Sequence, residues 1–172
     1  MLVLLQIRYC RSPVPMSVII EPAKPEDIPR LVELLNNLFG IELDFTADAT
    51  RQMRGLEMLM SEAAKYDRQT IAVARNDAGI PVGMATAQLI VSTAEGALSA
   101  WIEDVIVHPE HRRQGIGSML IGNLLEWAKA RGATRAQLVA DQENESADFF
   151  YASLSWRSTQ LIVRRQSIRQ HE

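Results

Sequence analysis

The stretch Trp101-Ile102-Glu103-Asp104-Val105-Ile106-Val107-His108-Pro109-Glu110-His111-Arg112-Arg113-Gln114-Gly115-Ile116-Gly117 decides the fold. Its first seven residues are mostly apolar and β-branched, which predicts a strand. Ile116, Leu120, Leu124 and Ala128 then recur at helical spacing, which predicts a helix opening at the glycines. Between the two lies a glycine-bearing turn with two arginines. Glycines let the backbone approach a ligand closely, and a helix start offers unpaired N–H groups. Arginines add positive charge and forked donors. Strand, turn and helix together suit a diphosphate. A Walker loop would need Lys-Ser or Lys-Thr after the second glycine, and a dinucleotide fingerprint would need a third glycine where Leu120 stands. A plain turn that binds nothing is the competing reading.

Composition sets broad bounds. A chain of 172 residues, 47% hydrophobic and 23% charged, suits one soluble globular domain with a sizeable core. The net charge of −3 gives no global attraction to nucleic acid or to an anionic membrane. The single cysteine, Cys10, excludes an intrachain disulfide. Leu2 to Leu5 is too short to span a bilayer, and Arg8 and Arg11 follow it rather than precede it as in a signal peptide. Residues 1–16 are therefore expected to be an N-terminal extension, and residues 17–172 a single cytoplasmic domain. His108, His111 and His171 have no zinc-ligand spacing, so no metal is expected. Arg164, Arg165 and Arg169 form a basic tail, read as a solvated end.

The chain reads as β-α-α-β-β-β-α-β-α-β. Val18-Ile19-Ile20 is a strand. Pro25-Glu26-Asp27 opens a helix whose stripe is Ile28, Leu31, Leu35 and Leu38, ended by Gly40. Thr46 caps a second helix bearing Met53, Leu56, Met60 and Ala63. Thr70–Ala74 and Pro81–Val91 form a hairpin through Asn76-Asp77-Ala78-Gly79, and a second turn, Ser92–Gly96, leads to the strand Ala97–Val107. After the loop helix come a strand at Ala136–Ala140, a helix at Asn144–Leu154 and a β-rich stretch at Trp156–Arg164. Hairpin-linked strands predict an α/β (α+β) architecture, with a mixed, mostly antiparallel central sheet and helices on both faces.

Arg112 to Gly117 reads R-x-x-G-x-G and resembles the acyl-CoA loop of the GNAT N-acetyltransferases. Further on, Asn144, Ala147, Phe150 and Tyr151 match the family pattern N-x-x-A-x-x-[LF]-Y, although Ser155 stands where the family usually has glycine. The resemblance covers roughly residues 17–163 and implies the GNAT acyl-CoA N-acyltransferase fold. In that fold two adjacent parallel strands splay apart, and the pantetheine arm of acetyl-CoA fills the gap. The backbone of Val105, Ile106 and Val107 would meet the arm. Arg112, Arg113, Gln114, Gly115, Ile116, Gly117 and Ser118 would hold the diphosphate, and Asn144 would reach the arm from the other side.

The implied reaction is direct acetyl transfer from acetyl-CoA, a co-substrate, to a primary amine in a ternary complex. Such a reaction needs a neutral amine and a proton for the departing thiolate. By resemblance Tyr151 is the acid. The competing reading makes it an amphipathic core residue. Glu103 and Asp104 are unusual in a strand, and neighbours on a regular strand face opposite sides. The resemblance implies a carboxylate on this strand as the base, a role assigned to Glu103, with Asp104 or water alone as alternatives. The acids Glu42, Asp44 and Asp48 favour a cationic amine acceptor, unless they merely start the second helix, and the acceptor is expected to be a small molecule. A homodimer is the expected assembly. A protein or peptide N-acetyltransferase and a non-catalytic acyl-CoA-binding sensor are the rival functions.

Overall fold

A computed structural model describes residues 17–41, 44–141 and 143–168. The proposed extension 1–16, with Cys10, and Glu42, Arg169 and His171 lie outside them. Five strands form one sheet in sequence order: β1 (Ile19–Pro22), β2 (Gln69–Arg75), β3 (Pro81–Ser92), β4 (Ala97–Val107) and β5 (Ala133–Leu138). β1 to β4 pair antiparallel, and β5 joins β4 in parallel. The expected mixed, mostly antiparallel sheet is the one observed.

Four helices cover both faces: α1 (Ile28–Phe39), α2 (Ala49–Tyr66), α3 (Ile116–Ala130) and α4 (Glu145–Ser153). Strand alternation divides the core in two. Ile71 and Val73 pack with Leu31, Leu34 and Leu35 of α1 and Leu56 of α2. Ala72 and Ala74 point the other way, against Ile116, Leu120, Ile121 and Leu124 of α3. The small β2 alanines admit the α3 leucines. Phe150 and Tyr151 of α4 pack on the edge of that second core.

Three sequence expectations change. Asp48, not Thr46, caps α2: its Oδ1 accepts from the amides of Thr50 and Arg51, both at 3.1 Å. A carboxylate satisfies two orphan N–H groups and suits the positive helix end, so it outcompetes a hydroxyl two residues upstream. Asp27 stands before α1 rather than in its first turn. It is buried in a 3-10 turn, Pro25–Asp27, and forms a forked ion pair with buried Arg75, at 2.8 and 2.6 Å. Finally, Trp156–Arg164 forms no strand. Its β-branched composition favours extended backbone, but a strand needs a partner edge in register. The segment instead leads towards the loop between α1 and α2, where Arg165 donates to the Asp44 carbonyl and stacks on Phe45. Leu161, Ile162 and Val163 stay exposed on the way.

The Asp27–Arg75 pair ties the start of α1 to β2, and Glu21 of β1 joins it at 3.0 Å from Arg75 Nε. Burial works against the Asp27 carboxylate, but hydrogen bonds from Arg75 and the Lys24 amide, with the charge of Arg75, hold its pKa below 3.8. Its contribution is therefore present above that pH and is lost as pH falls further. Replacing Asp27 by Ala takes the forked carboxylate from a buried guanidinium and leaves it Glu21 alone as an acidic partner. The expected loss is about 3–5 kcal/mol, measured by urea unfolding at neutral pH.

Candidate active site

β4 holds the key irregularity. Thr86 and Met84 of β3, two residues apart, oppose Glu103 and Ile106 of β4, three apart. The extra residue is a β-bulge, and Asp104 within it has φ +54°. A bulge bends its strand and resets which side chains share a face. Hence Ile102, Val105 and Val107 all pack towards α3, while Ile106 packs towards α1 and α2. The regular alternation expected of Glu103 and Asp104 does not hold.

Just there β4 and β5 part. Their pairing runs from Leu98↔Ala133 to Ile102↔Leu138 and stops, although β4 continues to Val107. The gap is a cleft of about 90 Å³ lined on one side by Glu103, Asp104 and Val105. Val139, Asn144, Ala147 and Tyr151 are among the residues lining the rest. The β5-facing backbone of Glu103 to Val107 thus has no strand beside it, and an extended chain with amide groups suits such an opening. Ile106 itself is buried in the α1–α2 core, so only its backbone is available to the cleft.

The loop lies at the far end of β4. Arg112 Nε donates to the Val107 carbonyl at 3.1 Å and ties the loop to the strand. Arg113 has φ +62° and Gly115 φ +79°, so two residues on either side of Gln114 take the left-handed conformation and turn the backbone into α3. A Cβ on Gly115 would meet nothing within 4 Å, so the glycine serves conformation and leaves open space. Gly117 serves packing: its added Cβ would lie 3.0 Å from the Phe150 ring, so α3 and α4 meet closely there. No acceptor is present among the described residues for the amides of Arg113 and Gln114. Those amides, the first-turn N–H groups of Ile116 to Ser118 and two exposed arginine side chains form a donor-rich surface suited to a diphosphate.

Asn144 caps α4, its Oδ1 accepting from the Ala147 amide at 3.1 Å, and it also lines the cleft. Seven residues on, the Tyr151 ring lies between those of Phe150 and Trp156, at 5.0 and 6.0 Å between centroids. The Tyr151 carbonyl accepts from the amides of Leu154 and Trp156 in the turn that ends the helix. Ser155 makes that turn with φ +66°, the conformation the family's glycine would adopt. The turn is as tight as a glycine would make it, and serine bears the strain.

A second cavity, of about 330 Å³, opens between α1, α2 and the sheet. Leu35, Phe39, Leu56 and Leu59 give it apolar walls, and Thr46, Gln52 and Gln88 add polar groups. Gln52 is buried, and neither its Oε1 nor its Nε2 has a hydrogen-bond partner among the described residues. The sequence hid this residue because it looks like any polar position on a helix. Among the described residues, Asp104 is the one common to the linings of cavity and cleft. Thr86 Oγ1 lies 3.2 Å from its Oδ2. Burial, and next the charge of Glu103, push Asp104 up from 3.8 to about 6, against that hydrogen bond.

A splayed parallel strand pair, a donor-rich loop opening a helix and a half-buried carboxylate between two cavities are thus arranged along β4 and its exit. The chain belongs to the Acetyltransferase (GNAT) family, which residues 30–156 match. It is 28% identical over 147 residues to the aminoglycoside N(6')-acetyltransferase type 1 of Acinetobacter haemolyticus, covering 84% of this chain and 94% of that one. It is 33% identical over 85 residues to an uncharacterized N-acetyltransferase of Methanocaldococcus jannaschii, covering 49% of this chain and 38% of that relative's length. Among solved structures, the aminoglycoside N-acetyltransferase AAC(6')-Iy in complex with CoA superposes with a TM-score of 0.75 at 16% identity. That match covers 92% of this chain and 99% of the solved one. No group of three or more His, Cys, Asp or Glu able to hold a metal occurs among the described residues, and no described helix is long and apolar enough to cross a membrane.

The strained serine yields a direct test. Ser155→Gly relieves a left-handed residue, which costs a non-glycine roughly 1–2 kcal/mol. Glycine's greater freedom in the unfolded chain offsets part of that gain. The expected net is a stabilisation of about 0.5–1 kcal/mol, read as a higher urea midpoint at unchanged slope.

Proposed function

We propose that the protein transfers the acetyl group of acetyl-CoA to a small-molecule primary amine, with Asp104 as the base and Tyr151 as the acid. The observation that carries this reading is the position of Asp104, which lines both the strand gap and the α1–α2 cavity. The open backbone of β4 would take the pantetheine arm, and the Arg112–Ser118 loop the diphosphate. Acetyl-CoA supplies an activated acyl group as its thioester. The amine would enter through the α1–α2 cavity as an ammonium ion and meet Asp104 at the strand gap. A carboxylate raised to about 6 is mostly ionised at neutral pH and still basic enough to accept a proton. Glu103 lines the gap but not the amine cavity, so its part is electrostatic: its charge helps to raise Asp104. Tyr151 borders the gap from α4 and would donate a proton to the departing thiolate.

Thiol release should be measured across a panel of primary amines with saturating acetyl-CoA. Asp104→Asn is expected to lower kcat/KM by roughly 10²-fold or more and to abolish the acidic limb near pH 6 expected of the parent. An unaltered limb would exclude Asp104 as the base. Asparagine tolerates the left-handed conformation, so the variant should fold.

Stability supplies an opposite sign. The folded pKa lies above the unfolded value of 3.8, so the ionised group costs the fold nothing below that pH and most above about 6. Asp104→Asn should therefore be more stable than the parent at pH 7.5, by about 1–3 kcal/mol, and the difference should shrink towards pH 4. Chemical denaturation at the two pH values checks this. Separately, Tyr151→Phe should lower kcat by roughly 10²-fold while leaving the calorimetric affinity for CoA in place.

A further inference from the structure

We propose that the acceptor is a monoamine on an apolar or aromatic body that also carries a hydroxyl or amide group, and that Gln52 reads this group. The proposal rests on the acetyl-transfer reading above. Three features of the α1–α2 cavity argue for it.

The first is charge. Asp48, Arg51 and Asp104 are the ionisable groups among the described residues lining the cavity. Asp48 Oδ2 lies 3.0 Å from Arg51 Nε, and its Oδ1 caps α2, so this acid is already paired. Among the described lining residues one carboxylate, Asp104, remains to meet a cation. A single ammonium is matched, whereas a polycation such as an aminoglycoside would leave further charges facing leucine and phenylalanine walls.

The second is shape. Gly55 lies within α2, where glycine weakens a helix. No packing demands it, since an added Cβ would meet nothing within 4 Å. The missing side chain instead leaves room in the cavity that Gly55 lines.

The third is the Gln52 amide, buried to 8% exposure with donor and acceptor both unpartnered. Buried polar groups are rarely left so. A ligand group that both donates and accepts would satisfy the pair, and a hydroxyl or carboxamide does this. The amine at Asp104, an apolar body along Leu35, Phe39 and Leu56, and a polar group at Gln52 make one pose.

The test compares tyramine, phenylethylamine and neamine as acceptors with saturating acetyl-CoA, alongside calorimetric titration of CoA. Tyramine is expected to exceed neamine in kcat/KM at least ten-fold. Gln52→Leu should reduce the tyramine-to-phenylethylamine ratio of kcat/KM at least five-fold. Gly55→Leu, which favours the helix, should raise KM for tyramine at least ten-fold with CoA affinity within two-fold of the parent. Neamine acetylated as well as or better than tyramine overturns the proposal while leaving acetyl transfer standing. An unchanged ratio in Gln52→Leu likewise overturns it. Failure of CoA to bind, or of every amine to be acetylated, removes the acetyl-transfer reading and this inference with it.

Discussion

One extra residue in β4 holds the design together. A central strand normally spends its backbone on two neighbours. β4 must keep β3 along its whole length yet release β5 halfway. The bulge at Asp104 achieves both, because bulging bends and twists the strand locally while pairing resumes beyond it. Pairing with β3 continues at Met84↔Ile106, and pairing with β5 ends at Ile102↔Leu138. The cleft is thus a consequence of the register shift. The same residue carries the cost: a non-glycine at φ +54°, with a carboxylate that burial and a like charge push towards neutrality. Backbone strain and a perturbed pKa at one position, where two cavities meet, are a combination found at functional sites.

The scaffold around this point is built to resist it. α3 presses Leu120 and Leu124 against the β2 alanines from one face, and α1 presses Leu31 and Leu34 from the other. The Asp27–Arg75 pair fastens the start of α1 to the sheet. Arg112 fastens the loop to the end of β4. Each tie holds one wall of the site, so the strain at Asp104 is over-determined by surroundings that cannot relax without losing buried area.

Most of the fold was legible because its signals are local. The stripes of α1 and α3, the Asn76–Gly79 turn and the glycine loop all lie within windows of a few residues, and each formed near its expected place. What escaped depends on distance in the chain. Asp27 and Arg75 are separated by 48 positions, and nothing local distinguishes a buried acid from a solvated first-turn one. The bulge is invisible for a related reason: it arises from the register between β3 and β4, and Asp104 carries no glycine-like marker. The extended tail shows the converse. Its β-branched residues satisfy propensity, yet Arg165 engages Asp44 and Phe45 instead of a ladder. Propensity specifies a backbone shape, and pairing requires an edge that local sequence does not reveal.

Gly117 and Ser155 show how motif letters can be kept or lost for reasons other than the ligand. Gly117 fits a phosphate-loop pattern, but its bare Cα is what the Phe150 ring needs. Because Phe150 precedes Tyr151 on α4, the loop's second glycine also governs where the tyrosine stands. Ser155 departs from the pattern yet adopts the glycine conformation, so the turn that carries Trp156 against Tyr151 survives the substitution. The glycine loop and the tyrosine are therefore coupled through side-chain packing, on the face of the sheet away from α1 and α2. The α1–α2 cavity lies on the opposite face and, among the described residues, shares only Asp104 with the cleft. That division lets residues such as Gln52 and Gly55 change without touching the loop or Tyr151. Asp104 has no such freedom, because its backbone opens the sheet while its side chain faces both cavities.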